Sequence, residues 1–427
     1  MSPVRLHLFA YQVGFGDCFL LRFVYPDDSQ RHVLIDFGTV SMPKGVSKSG
    51  QILKIANDIK DRCGGKLQAL VATHRHADHI SGFTPGKDGQ GPGDIIRALE
   101  PDVVLQPWTE QPDLPEKATA PLASAHAQAL DGMNQLAENL TERLKTQPKG
   151  LSPEQARRLG FLGENNIKNK AAVKNLIDMG NRPGARAAYA HYGTDDPLAD
   201  VLPGVTTLVL GPPTVEQSAE VRRQAKDDPQ YWLRQPELLF GQRVSRGAST
   251  SPFPEAPYSP GGKLPRRARW IAQRVRESRG TQWMSIVTAL DKAMNNTSLI
   301  LLFEVGDKKL LFPGDAQIEN WRYALSQPGV AERLGSVDLY KVGHHGSRNA
   351  TPKNLWDDFH KKGNADKPGR LTSVLSTLPE QYGSKDEAGN TEVPRRTLLE
   401  ALAKDSHLHD TERLAPDQLY DEVIIDL

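Results

Sequence analysis

Residues 73–83 read THRHADHISGF and follow the apolar run LQALVAT at residues 67–73. His74, His76, Asp78 and His79 fall within six residues of a chain that holds 12 histidines in 427 residues. His74 and His76 are two apart, so in extended chain they project from one side. Asp78 and His79 follow where the chain turns into a helix. Imidazole nitrogens and carboxylate oxygens suit borderline divalent ions such as zinc, manganese or iron. Four such groups exceed what one tetrahedral ion needs once water takes a position, and the surplus points to two ions.

Outward from this cluster, strands and helices alternate. RLHLFAYQV (5–13), CFLLRFVY (18–25) and HVLIDFG (32–38) read as strands joined by turns. GQILKIANDIKDRCGG (50–65) has helical spacing through Ile52, Ile55, Ala56 and Ile59, stopped by Gly64-Gly65. DVVLQPW (102–108) and PGVTTLVLGPP (203–213) read as further strands, and residues 297–316 as a hairpin around Gly306-Asp307. VDLYKVGHHGS (337–347) is a strand running into a turn, LTSVLST (371–377) another strand, and PRRTLLEAL (394–402) opens a late helix. The class is α/β. One domain over residues 1–427 is expected, carrying a mainly helical insertion at 112–200 and an Arg/Pro-rich insertion at 214–290. In the first insertion Met133, Ala137, Leu140 and Leu144 form an apolar stripe, read as a packed helix.

A two-ion site needs ligands from elsewhere, including an acid able to bridge. Asp315 in LLFPGDA and His344-His345 in YKVGHHGS each sit at the end of an apolar strand. Functional groups of α/β proteins gather at such ends.

Lys and Arg number 53 against 52 Asp and Glu, a formal net charge of +1, so global charge argues for neither nucleic acid nor membrane. Cys18 and Cys63 are far apart, which suggests no disulfide framework or cysteine-based zinc site and fits a reducing compartment. Cys18 is expected to pack as a small apolar group. No stretch approaches the ~18–20 uninterrupted apolar residues of a membrane span. A cytoplasmic soluble protein is expected.

These residues carry a resemblance. HRHADH resembles the His-x-His-x-Asp-His signature of the metallo-β-lactamase fold, and LIDFG, FPGDA and KVGHHGS resemble that superfamily's strand-end motifs, in order. The chain is most similar to the metallo-hydrolase domain of the competence protein ComEC and its stand-alone bacterial relatives. Those open with a VGxGD turn, here VGFGDC, and carry an NxxSLVL-like strand, here NNTSLILLF. The matching motifs span roughly residues 11–385. The resemblance implies a four-layer αββα sandwich with metals at one edge, between two sheets. It implies that His74 and His76 hold one ion, that Asp78, His79 and His344 hold the second, and that Asp315 bridges. Asp36, and similarly Asp17, would orient ligands from behind. A water or hydroxide between the ions would be the nucleophile, with Asp78 among the catalytic groups. His345 is read either as proton donor to the leaving group or as an anchor of the turn.

The chain departs from the superfamily pattern at one ligand. No histidine lies between His191 and His344, where a third histidine usually reaches the first ion. Asn295, Asn296 or Ser298 would approach it instead, with His191 as a lesser candidate. A neutral amide oxygen weakens that position for zinc and favours manganese or magnesium. One or two divalent ions are expected, zinc or manganese first. ComEC-type relatives share the lack of this histidine, so it does not argue for a dead enzyme.

The function this implies is hydrolysis of a phosphodiester by a nuclease or phosphodiesterase, with nucleic acid as one form of substrate. An acyl hydrolase of a lactone, lactam or thioester is the alternative on the same chemistry. A non-catalytic metal- or partner-binding protein is the alternative of another class. KLPRRARWIAQRVRESRG (263–280) sets Arg266, Arg267 and Arg269 beside Trp270. It can grip a phosphate backbone with the indole stacked on a base, or pair with acids as a basic helix face. Tyr382 and Lys385 lie where relatives carry a YGHP loop and would contact substrate; here Ser384 follows the YG pair. DSHLHD (405–410), with His407 and His409, reads as a solvated tail rather than a metal pair.

Overall fold

The computed structural model describes residues 1–111, 169–214, 217–218, 295, 297–347, 351–379, 381, 392–415 and 417–427. The alternating and apolar runs of the N-terminal third become β1 (Arg5–Tyr11), β2 (Cys18–Val24) and β3 (Gln30–Phe37), paired antiparallel in sequence order. β4 (Ala69–Val71), β5 (Val103–Pro107) and β6 (Arg186–Ala190) then add in parallel. With β13 (Tyr420–Asp426) antiparallel to β1, the first sheet runs β13-β1-β2-β3-β4-β5-β6.

The second sheet repeats that logic. β7 (Thr206–Gly211), β8 (Ile300–Val305) and β9 (Lys308–Phe312) are antiparallel. β10 (Leu339–Lys341), β11 (Thr372–Leu375) and β12 (His407–Asp410) continue in parallel from β9. Its order is β12-β11-β10-β9-β8-β7.

Three apolar clusters hold the layers. One joins the sheets, with Leu6, Leu8 and Phe19 from the first against Leu301, Phe303, Phe312 and Val374 from the second. Phe312 meets Phe19 and Phe303 edge-on at ring-centroid distances of 6.2 and 5.8 Å. A second cluster packs the first sheet against α1 (Lys48–Arg62), α3 (Pro92–Arg97) and α4 (Lys170–Gly180). In α1 the buried stripe is Ile52, Ile55, Ala56 and Ile59, and Ser47 caps the start by accepting from the Gly50 amide. The third cluster packs the second sheet against α5 (Ile318–Leu325), α6 (Val330–Gly335), α7 (Lys353–Asp358) and α8 (Arg396–Asp405). Two mixed sheets of seven and six strands with helices outside them are consistent with a sandwich.

The structure corrects one expectation and adds two elements. DSHLHD is not a solvated tail: residues 407–410 form β12, hydrogen-bonded in register to β11, with Leu408 packed on the third cluster. His409 Nδ1 lies 2.8 Å from Asp421 Oδ2 on β13, so an edge strand of one sheet touches an edge strand of the other. β13 itself went unread, as did β6 inside the 112–200 segment. Both cysteines are free and buried. Among the described residues no helix is long and apolar enough to cross a membrane. Residues 112–168, which include the Met133–Leu144 stripe, lie outside the described residues, as does all of 214–290 except residues 214, 217 and 218.

The joint between the sheets should carry much of the stability. Phe312→Ala is expected to cost about 3–5 kcal/mol, because a large inter-sheet side chain is removed and the β-strands cannot collapse around the void. Leu53→Ala, at a residue 38 % exposed, should change stability by less than about 0.5 kcal/mol. Urea unfolding monitored by circular dichroism measures both.

Candidate metal centre

The parallel strands of both sheets deliver their carboxyl ends to one place. Asp36 is the penultimate residue of β3, and β4 runs into Thr73, His74, His76 and the short helix α2 (Ala77–Ile80), which carries Asp78 and His79. β9 leads to Asp315, β10 to His344 and His345, and β11 to Ser376. Asp17 enters from the turn before β2. Its amide donates to the Asp78 carbonyl at 2.8 Å, and its carbonyl accepts from the Gly38 amide at 3.0 Å. Gly38 must be glycine for space: a Cβ there would stand 2.4 Å from Asp78 C and His79 N. Asp36, His344 and His345 all hold left-handed backbone, with φ of 57°, 41° and 49°. Such strain concentrates at functional sites.

Asp36 is the organiser of the cluster segment. Its carboxylate accepts from the Thr73 amide and hydroxyl, each at 2.7 Å, and lies 2.7 Å from His79 Nδ1. Because Thr73 Oγ1 spends its proton on Asp36, the 3.3 Å contact with His74 must be donated by His74 Nδ1. His345 Nδ1 likewise donates to the Ser376 carbonyl at 3.0 Å. In all three rings Nδ1 faces a fixed partner, and Nε2 is left to face inward. This is how metal-ligating histidines are usually held.

The inward atoms converge. Ligand atoms of Asp78, His79, Asp315 and His345 lie within 4.8 Å of one another, all buried. His79 Nε2 is 3.1 Å from Asp315 Oδ2, and His345 Nε2 is 3.3 Å from Asp78 Oδ2 and 3.7 Å from Asp315 Oδ2. His74 Nε2 and Asp78 Oδ1 are buried without a hydrogen-bond partner. Orphaned buried polar atoms demand an explanation, and a cation supplies one. The donor set of two carboxylates and two imidazoles fits zinc or manganese.

Electrostatics divide the histidines into two kinds. Burial pushes His74 well below the usual histidine range and His76 down to about 4, and it also lowers His344, so these rings are neutral. Burial opposes charge on His79 as well, but Asp315, Asp36 and Asp17 outweigh it and raise its pKa. His345 is raised against burial by Asp315, Asp17 and Asp78. For Asp78 and Asp315 burial opposes ionisation, yet the surrounding imidazoles hold both below the carboxylate range. Desolvation raises Asp36.

Several expected residues reach this place and others do not. His345 stands inside the four-group cluster, whereas His344 stands beside it, with Nε2 3.9 Å from Asp315 Oδ2 and its side chain 24 % exposed. His76 is buried at the start of α2. Ser298 Oγ accepts from the Asp315 amide at 3.3 Å, and Asn295 is buried with Oδ1 lacking a hydrogen-bond partner. His191 follows β6 directly, and its Nδ1 donates to the Tyr192 carbonyl. Asn296, Arg266, Arg267, Arg269, Trp270, Tyr382 and Lys385 lie outside the described residues. One residue was missed. Lys341, on β10, is buried and paired with Asp17, and the signal was a lone cation set between Tyr340 and Val342 just before the His-Gly turn. Neither a protein-family profile nor a curated protein sequence matches the chain.

The geometry makes two predictions about ion binding. Asp36→Ala, which frees both Thr73 and His79, should weaken manganese or zinc binding by about 10–100-fold in isothermal titration calorimetry. His79 and His345 have raised pKa values, so in the ion-free protein each keeps its proton to higher pH. An ion taking Nε2 must displace that proton, so affinity should fall as pH is lowered and binding should release protons. Titrations in buffers of different ionisation enthalpy measure the release.

Proposed function

We propose that this chain is a divalent-metal-dependent hydrolase of the metallo-β-lactamase type, acting on a phosphodiester. The observation that carries the reading is the meeting of Asp78, His79, Asp315 and His345, from three distant segments, within 4.8 Å at the carboxyl ends of strands in two sheets. Two mixed sheets with helices outside them support the fold type, and the ordered motifs of the sequence support the family.

Asp78, His79, Asp315 and His345 would hold one ion in this reading. The neutral rings of His74 and His76 would hold a second, with Asn295 as a candidate amide donor. Ions held there would supply Lewis acidity and lower the pKa of a bound water towards ~7. The protein's own groups do the rest. Asp36 and the Ser376 carbonyl fix the ring orientations of His79 and His345. Asp78 Oδ1, free of hydrogen bonds, would accept a hydrogen bond from the attacking water and orient it. His345 is wholly buried and acts as a ligand, while the partly exposed, neutral His344 faces Asp315 from the rim of the cluster. A nucleic-acid substrate is the finer form of this proposal, and the basic run at 263–280 supports it from sequence.

The test is turnover of bis-p-nitrophenyl phosphate and of single- and double-stranded nucleic acid with zinc, manganese or magnesium, set beside a chromogenic lactam. Asp315→Ala should lower phosphodiester turnover at least about 100-fold, while His407→Ala on β12 leaves it unchanged. Arg266, Arg267 and Arg269 changed together to Ala should flatten the salt dependence of nucleic-acid binding. Absence of phosphodiester turnover with every ion, or turnover of the lactam alone, removes the proposal.

A further inference from the structure

A second group of buried ligand atoms lies behind the first: Asp17, Asp36 and His79 also come within 4.8 Å of one another. Its donors are of a kind that could hold an ion, but a cation already stands against it. Lys341 Nζ contacts Asp17 Oδ2 directly, donates to the Gly314 carbonyl at 3.3 Å and lies 3.9 Å from Asp315 Oδ1. Its side chain is 2 % exposed and its ammonium lies over the Phe19 ring at 5.8 Å. Asp17 in turn faces both cluster histidines from behind, with Oδ2 3.7 Å from His79 Nδ1 and Oδ1 3.6 Å from His345 Nδ1.

A buried lysine is costly unless anions compensate it, and here every neighbouring anion belongs to the centre. The ammonium therefore acts on the ion as well as on Asp17. A fixed unit charge near a divalent ion in a poorly solvated site repels it by far more than the same pair would in water.

Resting on the metal-binding reading above, we propose that Lys341 is the resident cation of the centre. It takes the place of an ion in the Asp17–Asp36–His79 group, and by repulsion it weakens the hold of the Asp78–His79–Asp315–His345 group on its own ion. An ion bound less tightly by its protein ligands keeps more of its charge for water and substrate, so Lys341 is a positioning residue that tunes the centre without touching the ion.

A purely structural lysine and a tuning lysine predict opposite signs. If Lys341 only packs and pins Asp17, Lys341→Met loosens the ligands and manganese binds more weakly. If its charge repels the ion, Lys341→Met binds manganese more tightly, by at least about tenfold in calorimetric titration of the full chain, and Lys341→Arg stays near wild type. Weaker or unchanged binding by Lys341→Met overturns the proposal. Should that variant not fold, Lys341→Gln decides by the same sign, since it removes the charge and keeps a donor for Asp17 and the Gly314 carbonyl. Repulsion scales with ion charge, so the gain of affinity relative to wild type should be steeper for terbium(III) than for manganese(II). Equal gains, or none, overturn the proposal. Wild-type protein that binds no manganese at all is the different failure, that of the metal-binding reading itself.

Discussion

Four carboxylates, those of Asp17, Asp36, Asp78 and Asp315, are buried in one small volume, and buried like charges require cations at contact distance. The chain supplies three of its own: the ammonium of Lys341 and the imidazoles of His79 and His345, whose protons the carboxylates stabilise. This arrangement is expensive for a fold that needs only stability. Apolar residues would fill the same volume without desolvating charge. The cost makes sense if the imidazole protons are placeholders, exchanged for a divalent ion when one is present.

The scaffold converges on that cluster of charges. Each sheet begins with an antiparallel three-stranded unit and continues in parallel, so both send several strand ends in one direction. Hydrogen bonds then tie the two sheets at the centre itself. The Leu299 amide donates to the Thr73 carbonyl at 3.0 Å, and Ser376 Oγ donates to the Gly16 carbonyl at 2.5 Å. Arg75, between two of the inward histidines, turns the other way and forks onto Glu110 with three contacts of 2.6–3.0 Å. The ligand segment is thus clamped from both sides, which keeps inward-facing polar atoms inward even when no ion rewards them.

How much of this was legible depends on how local each signal is. HRHADH could be read because its four polar side chains lie on one continuous segment after a strand, and nothing apolar explains their spacing. Asp315 and the His344-His345 pair could be read as strand-end groups. Which histidine of the pair turns inward could not, because alternation assumes extended backbone and both residues are left-handed. Lys341 is not legible because a strand lysine ordinarily marks an exposed face, and its burial depends on Asp17, 324 positions away. β13 was invisible for the same reason in reverse. YDEVIID is rich in charge, Val423 is its one buried residue, and its partners lie at the opposite end of the chain.

The central claim is that these distant side chains form one cation site, and anomalous diffraction from a crystal soaked in manganese or zinc tests it most directly. The account places a peak among Asp78, His79, Asp315 and His345, with ligand distances of about 2.0–2.2 Å. Full occupancy elsewhere with no peak in that cluster, or a cluster still closed by its own hydrogen bonds after soaking, would contradict it.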